Sequence, residues 1–215
     1  SNGIDVFRTF DALNDFSNIE LTIKEVKNNG KHAQGAMAYT VSPVHTLDSW
    51  LDLAKRIEDA GADSVAIKDM AGLLKPNDAF ELVSNLKEKI SVPIHMQTHA
   101  TTGFSTATNM KAIEAGIDNI DTSISSMSMT YGHTATETII SMFDHTKFFS
   151  DIDKNLFPEL SSHFKKIRKK YELYEGSLKG VDASMLINQV PGGMLSNLES
   201  QLREMDADDK FEDVL

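Results

Sequence analysis

An α/β fold, in which βα units repeat along a parallel sheet, is predicted by three observations. Strand-like segments recur at near-constant intervals, at 4–10, 33–40, 63–69, 92–99 and 117–125. Helical patterns fill the gaps between them, the signature of βαβ units. Polar side chains gather where the apolar runs end, the end at which α/β barrels place their active sites.

Each element has its own signal. In 17–29 the residues Ile19, Leu21, Ile23 and Val26 give a mixed apolar stripe. In 46–61 Trp50, Leu53, Ala54 and Ile57 recur at helical spacing, and Gly61 suits the C-terminal stop. In 76–90 Ala79, Leu82, Val83, Leu86 and Ile90 form a stripe, with Pro76 at a helix start. In 104–117 Ala107, Met110, Ile113 and Ala115 play the same part. After residue 125 no strand pattern follows. Helices are predicted over 135–143, 157–176 and 194–205, and Pro191-Gly192-Gly193 reads as a turn between helices. Five strands are fewer than the eight of a closed barrel. The expectation is a barrel whose first units are missing from this chain, the alternative an open sheet. Exposed sheet edges in turn predict an oligomer or a covering partner.

Composition excludes several classes. With 215 residues, 40% hydrophobic, one sizeable core can form. There is no cysteine, so disulfides and thiolate metal sites are excluded and secretion has no support. No apolar run approaches the roughly 20 residues that span a bilayer. The opening Ser1-Asn2-Gly3 is not a signal peptide and reads as a cut end or an expression scar. A net charge of −11 argues against nucleic-acid binding. The basic run in 164–176 reads as the solvated face of a helix. A cytoplasmic protein is expected.

The chemistry centres on two neighbouring strand ends. One apolar run ends at Lys68-Asp69 and turns through Met70-Ala71-Gly72; the next carries His95, Gln97 and His99. Alternate strand side chains share a face, so these three point the same way. A lysine beside imidazoles suggests a metal site, but an ammonium cannot ligate. Uptake of CO2 as a carbamate would remove the charge, which suggests a chemistry that moves carboxyl groups.

At this point the residues carry a resemblance. The stretches 5–15, 31–47, 66–76, 99–108, 121–138 and 178–202 resemble the carboxyltransferase domain of the biotin-dependent oxaloacetate decarboxylase alpha subunit. They are also similar to the carboxyltransferase domain of pyruvate carboxylase and to the transcarboxylase 5S subunit. The run Ser126-Met127-Ser128-Met129-Thr130-Tyr131-Gly132-His133 points to the decarboxylase branch. A hydroxymethylglutaryl-CoA-type aldolase is the weaker reading. The resemblance implies a (β/α)8 TIM-barrel fold with about the last five βα units present. Residues 1–145 would hold strands 4–8, and 146–215 the start of the helical C-terminal region.

It also implies roles. Lys68 matches the carbamylated, metal-bound lysine and His99 the second histidine of a His-x-His pair. Gln97 stands where the first should be; its carbonyl is a weaker donor for zinc-type metals. His95 shares the strand face, one pair deeper, as a structural residue or a substitute ligand. Arg8 would face the substrate carboxylate, or else pair with Asp11 or Asp69. Tyr39 would donate a hydrogen bond to the enolate oxygen. Thr130 would shuttle a proton, or else act as a cap or loop hydroxyl. The implied cofactors are a divalent metal (Zn, Mn or Co) and biotin carried on a separate domain. The implied partners are oxaloacetate or pyruvate, a biotinyl carrier domain, and membrane decarboxylase subunits that would hold the protein at the inner face. The implied reaction moves the carboxyl group of oxaloacetate to biotin, giving pyruvate and carboxybiotin. The alternatives are the reverse, pyruvate carboxylase-type direction, or a truncated fragment without turnover.

Overall fold

The computed structural model describes residues 3–148 and 150–214. Ser1 and Asn2, part of the opening tripeptide, lie outside the described residues. The chain falls into two compact units. The first takes in the chain up to Asp69 together with Leu74–Thr98 and Ala107–Asp121; the second takes in Met70–Leu73, His99–Thr106 and the chain from Thr122 onward.

The first unit is built on five parallel strands in sequential order: β1 (Val6–Thr9), β2 (His32–Ala38), β3 (Ser64–Asp69), β4 (Ile94–Thr98) and β5 (Asn119–Ile120). Between them run α1 (Phe16–Asn28), α2 (Leu47–Asp59), α3 (Pro76–Lys89) and α4 (Ser105–Glu114). The helix starts follow local chemistry. The Asp15 carboxylate accepts from Ser17 N at 3.0 Å. Thr46 and Ser49 form a reciprocal capping box at α2. Pro76 opens α3, and Gly61, at φ +92°, follows the end of α2.

The pleat gives the sheet two unlike faces. Ala33, Met37, Val65, Ile67, Ile94 and Met96 pack with Ile19, Ile23, Trp50, Ile57, Leu82 and Leu86 in one core cluster. Each fully buried aliphatic side chain there contributes about 1.5–3 kcal/mol. At Gly35 a Cβ would lie 2.3 Å from Ile57 Cγ2, so glycine lets α2 reach the sheet. The alternate positions, Arg8, Gln34, Ala36, Ala38, Ser64, Ala66, Lys68, His95 and Gln97, are small or polar and lie on the other face.

That second face is concave. Four inter-strand steps of about 4.8 Å would put β1 about 19 Å from β5 in a flat sheet. Arg8 on β1 nevertheless reaches Asp121, which follows β5, with Nη1 2.5 Å from Oδ2. A side chain can bridge the two edge strands only if the sheet curls, as in a segment of a barrel wall. The predicted partial barrel of five βα units is therefore the fold observed.

The second unit contains α5 (Thr136–Met142), α6 (Phe157–Lys170), α7 (Met185–Asn188), α8 (Gly192–Glu204) and α9 (Phe211–Val214). Among its described residues the strand-type pairing is an isolated parallel bridge, Ser123 to Ala135. The helix predicted over 157–176 ends at Lys170, and its basic stretch carries no buried residue, as a solvated face should. The segment predicted as a strand over 117–125 keeps only Asn119–Ile120 in the ladder. Pro191-Gly192-Gly193 is not a turn. Pro191 caps α8 and both glycines are helical. A Cβ on Gly192 would meet Thr101 Oγ1 at 2.7 Å, so close approach rather than turn geometry explains that glycine.

Candidate active site

The concave face of the first unit gathers charged groups near the strand ends. The Arg8 guanidinium donates through Nε to Gln34 Oε1 at 2.5 Å, through Nη1 to Asp121 Oδ2 at 2.5 Å, and through Nη2 to Asp121 Oδ1 at 3.4 Å. The Gln34 amide donates in turn to Ser64 Oγ at 2.9 Å, which fixes the fork from below. His95 Nε2 lies 2.5 Å from Asp121 Oδ1. Burial pushes the Asp121 carboxyl up. The hydrogen bonds from His95 and Arg8, with their charges, outweigh it and hold the group well below the usual carboxylate range. Neither expected partner of Arg8 takes that place. Asp11 accepts from Leu13 N and Asp15 N, and the buried Asp69 accepts from Leu74 N and Thr98 Oγ1.

Lys68 and Gln97 are paired in register on β3 and β4, and Lys68 Nζ donates to Gln97 Oε1 at 2.7 Å. The ammonium also sits 4.8 Å over the Phe10 ring. Half-burial lowers the Lys68 pKa from its ordinary value. Arg8 lowers it further, and Asp121 opposes. The neutral amine is the form that reacts with CO2, so the environment shifts Lys68 toward the reactive form. A Lys68 carbamate and the Gln97 carbonyl are oxygen donors. They fit a divalent metal, and suit Mn²⁺ better than a softer-ligand ion. Among the described residues no three His, Cys, Asp or Glu side chains form a metal cluster.

Tyr39 is not brought to this cluster by its ring. It follows β2, donates its backbone N–H to Lys68 O at 2.9 Å, and stacks on Trp50 with centroids 5.4 Å apart. Its hydroxyl is pushed up to about 12 by burial and by the charges of Asp78 and Asp69, so it stays protonated and able to donate.

The second unit holds the remaining residues singled out from sequence. His99 Nδ1 lies 2.6 Å from the Tyr131 carbonyl oxygen, and its ring is tilted against His133 with centroids 4.8 Å apart. Thr130 lines a cavity of about 360 Å³ with Met127, Tyr131, Arg168, Tyr171 and Tyr174. Met129 and Thr130 both adopt left-handed φ, +64° and +52°, a strained pair for non-glycine residues. Gly72 of the Lys-Asp-Met-Ala-Gly turn is at φ +69°, and a Cβ there would lie 2.7 Å from His99 O.

Asp121, Gln34 and Glu199 join these networks although no sequence motif marks them. Asp121 follows the last strand run, and that strand-end position was the available signal. Glu199 sits mid-helix and gave none.

Residues 9–163 match the HMGL-like family model. The chain belongs to the HMGL-like family. Residues 185–215 of this family member also match the conserved carboxylase domain. It is 50% identical over its whole length to a pyruvate carboxylase subunit of Methanocaldococcus jannaschii, covering 38% of that protein. It is 46% identical to the methylmalonyl-CoA carboxyltransferase 5S subunit of Propionibacterium freudenreichii, covering 43%. The carboxyl transferase domain of Rhizobium etli pyruvate carboxylase with 3-hydroxypyruvate superposes with TM-score 0.93 at 31% identity, over 98% of this chain and 36% of that one. The resemblance read from the motifs is therefore shown. This HMGL-like chain spans about two fifths of the length of the curated relatives it matches. No helix among its described residues is long and apolar enough to cross a membrane.

Proposed function

We propose that the chain is the carboxyltransferase part of a biotin-dependent oxaloacetate decarboxylase. The observation that carries the reading is the half-buried, less basic Lys68 amine held on Gln97 at a strand end. HMGL-like membership and likeness to carboxyltransferase proteins support it.

In this reading the substrate carboxylate docks on Arg8. Nη2 makes the looser contact with Asp121, 3.4 Å, and is the donor a carboxylate can recruit with least loss. Gln34 and Asp121 hold the guanidinium plane while it does so. The bond to the β-carboxylate of oxaloacetate breaks and its electron pair forms the pyruvate enolate. The carboxyl group passes to N1 of biotin, and the proton leaving N1 goes to the enolate carbon. Thr130 is the proposed carrier of that proton. In the first unit Lys68, as its carbamate, and Gln97 would hold the divalent metal, which would supply a Lewis acid. His99 is proposed as a metal donor through Nε2, and His95 as the holder of Asp121. A biotinyl carrier domain, membrane subunits, and a partner covering the exposed Ile4, Val6 and Phe7 at the β1 edge belong to the same reading.

The second reading is the reverse direction, carboxylation of pyruvate. The 50% identity to a pyruvate carboxylase subunit favours it. Purified protein with oxaloacetate and free biotin tests the first: biotin-dependent release of pyruvate is expected. Pyruvate formed only at the uncatalysed rate, on protein shown to carry the Lys68 carbamate, would defeat it.

Metal affinity gives a further check. Replacing Gln97 with histidine puts a stronger donor beside Lys68. Titration of the apoprotein with Zn²⁺ or Co²⁺ is expected to show binding about 10–100-fold tighter than wild type. Unchanged affinity would remove Gln97 from the ligand set.

A further inference from the structure

We propose that Glu199 is a positioning residue that acts through Tyr131 to select the tautomer of His99. His99, Tyr131 and Glu199 all belong to the second unit, and the assignment rests on the proposed role of His99 as a donor through Nε2.

The carboxylate of Glu199, on α8, is buried, at 7% exposure. It accepts from the Tyr131 hydroxyl at 2.5 Å, from Ser177 N at 2.6 Å and from Ser177 Oγ at 2.9 Å. Three charge-assisted bonds to one buried carboxylate make a stiff anchor. What they anchor is strained. Tyr131 follows two successive left-handed residues, Met129 and Thr130. Inside the loop, Met129 N donates to His133 O and Gly132 N to Met129 O, at 2.7 and 2.8 Å. Ala100 N donates to Gly132 O at 2.8 Å, tying the loop to the residue after His99. The phenol is also fitted closely: a Cβ on Gly176 would lie 2.3 Å from Tyr131 Cε2 and 2.9 Å from Glu199 Oε2.

The other end of Tyr131 sets the imidazole. Its carbonyl oxygen lies 2.6 Å from His99 Nδ1, and a carbonyl can only accept. Nδ1 therefore carries the hydrogen. In the neutral ring Nε2 then bears the lone pair, the form that can ligate a metal or take a proton. Glu199 fixes the phenol, the fixed phenol holds the strained backbone, and the backbone carbonyl chooses the nitrogen.

The test is long-range ¹⁵N–¹H NMR of the histidine rings in the 215-residue protein, at a pH where His99 is neutral and without metal. His99→Gln identifies the signals. Wild type is expected to show His99 in the Nδ1–H form. Tyr131→Phe and Glu199→Gln are expected to move that ratio toward parity by about tenfold, the weight of one hydrogen bond. Circular dichroism melts establish that each variant is folded. Wild type with His99 in the Nε2–H form overturns the proposal without any variant. So does a folded Tyr131→Phe protein that keeps the wild-type ratio. The readout needs no turnover, so it stands or falls separately from the carboxyltransferase reading.

Discussion

The Lys68→Met protein is expected to form biotin-dependent pyruvate about 10²–10³-fold more slowly than wild type, the scale seen when a preorganised electrostatic group is removed from a catalytic site. It is also expected to lose a carbamate signal that wild type gives with ¹³C-bicarbonate. Methionine keeps the length of the lysine stem and its packing near Phe10, but it has no nitrogen to take up CO2. The effect on folding is predicted to be small. Methionine removes an amine whose charge is disfavoured by half-burial, and it loses the bond to Gln97. These oppose each other and leave stability within about 1 kcal/mol of wild type. Loss of turnover with an unchanged melting temperature would place Lys68 in the chemistry. A large loss of stability, or retained turnover, would make it an ordinary packed lysine.

Asp121→Asn is expected to act on the fold instead. It leaves Arg8 and His95 facing a neutral amide on the concave face, where the carboxylate now binds both. The expected cost is about 2–3 kcal/mol, because the pair is only partly exposed and one cation loses its counter-charge. For a chain of this size that corresponds to a fall of about 4–12 °C in melting temperature. The pH dependence has a definite sign. The folded pKa of Asp121 is depressed. Its contribution is therefore fully present above the unfolded value of about 3.9 and is lost as pH falls below it toward the folded value. Wild type should lose stability through this acid range, and Asp121→Asn should lose correspondingly less. Parallel acid-unfolding curves for the two proteins would remove Asp121 from that role.

Much of the first unit was legible because its signals are local. Ile57 and Trp50 lie on one stripe at helical spacing, and both are buried. Pro76 and Gly61 mark a helix start and a helix stop through their own backbone preferences. Lys68 and Gln97 come together because strand spacing and parallel register fix them side by side. Pro191-Gly192-Gly193, expected as a turn and found in a helix, shows the limit. Glycine marks either a turn or a close contact, and Thr101, the contact here, lies far earlier in the chain.

The order of βα units, the division of each strand into an apolar and a polar face, and the placing of Lys68 and Gln97 at neighbouring strand ends are all written locally in the chain. Those depend on periods of two and 3.6 residues and on backbone chemistry within a turn of the chain. The long-range pairings arise on folding: Arg8 takes Asp121 rather than Asp11 or Asp69, His95 holds the same carboxylate, and Glu199 grips Tyr131. Arg8 and Asp121 are 113 positions apart, and Tyr131 and Glu199 are 68 apart. Which charges meet over such distances depends on how far the sheet curls and where a helix lies, and no local pattern encodes either.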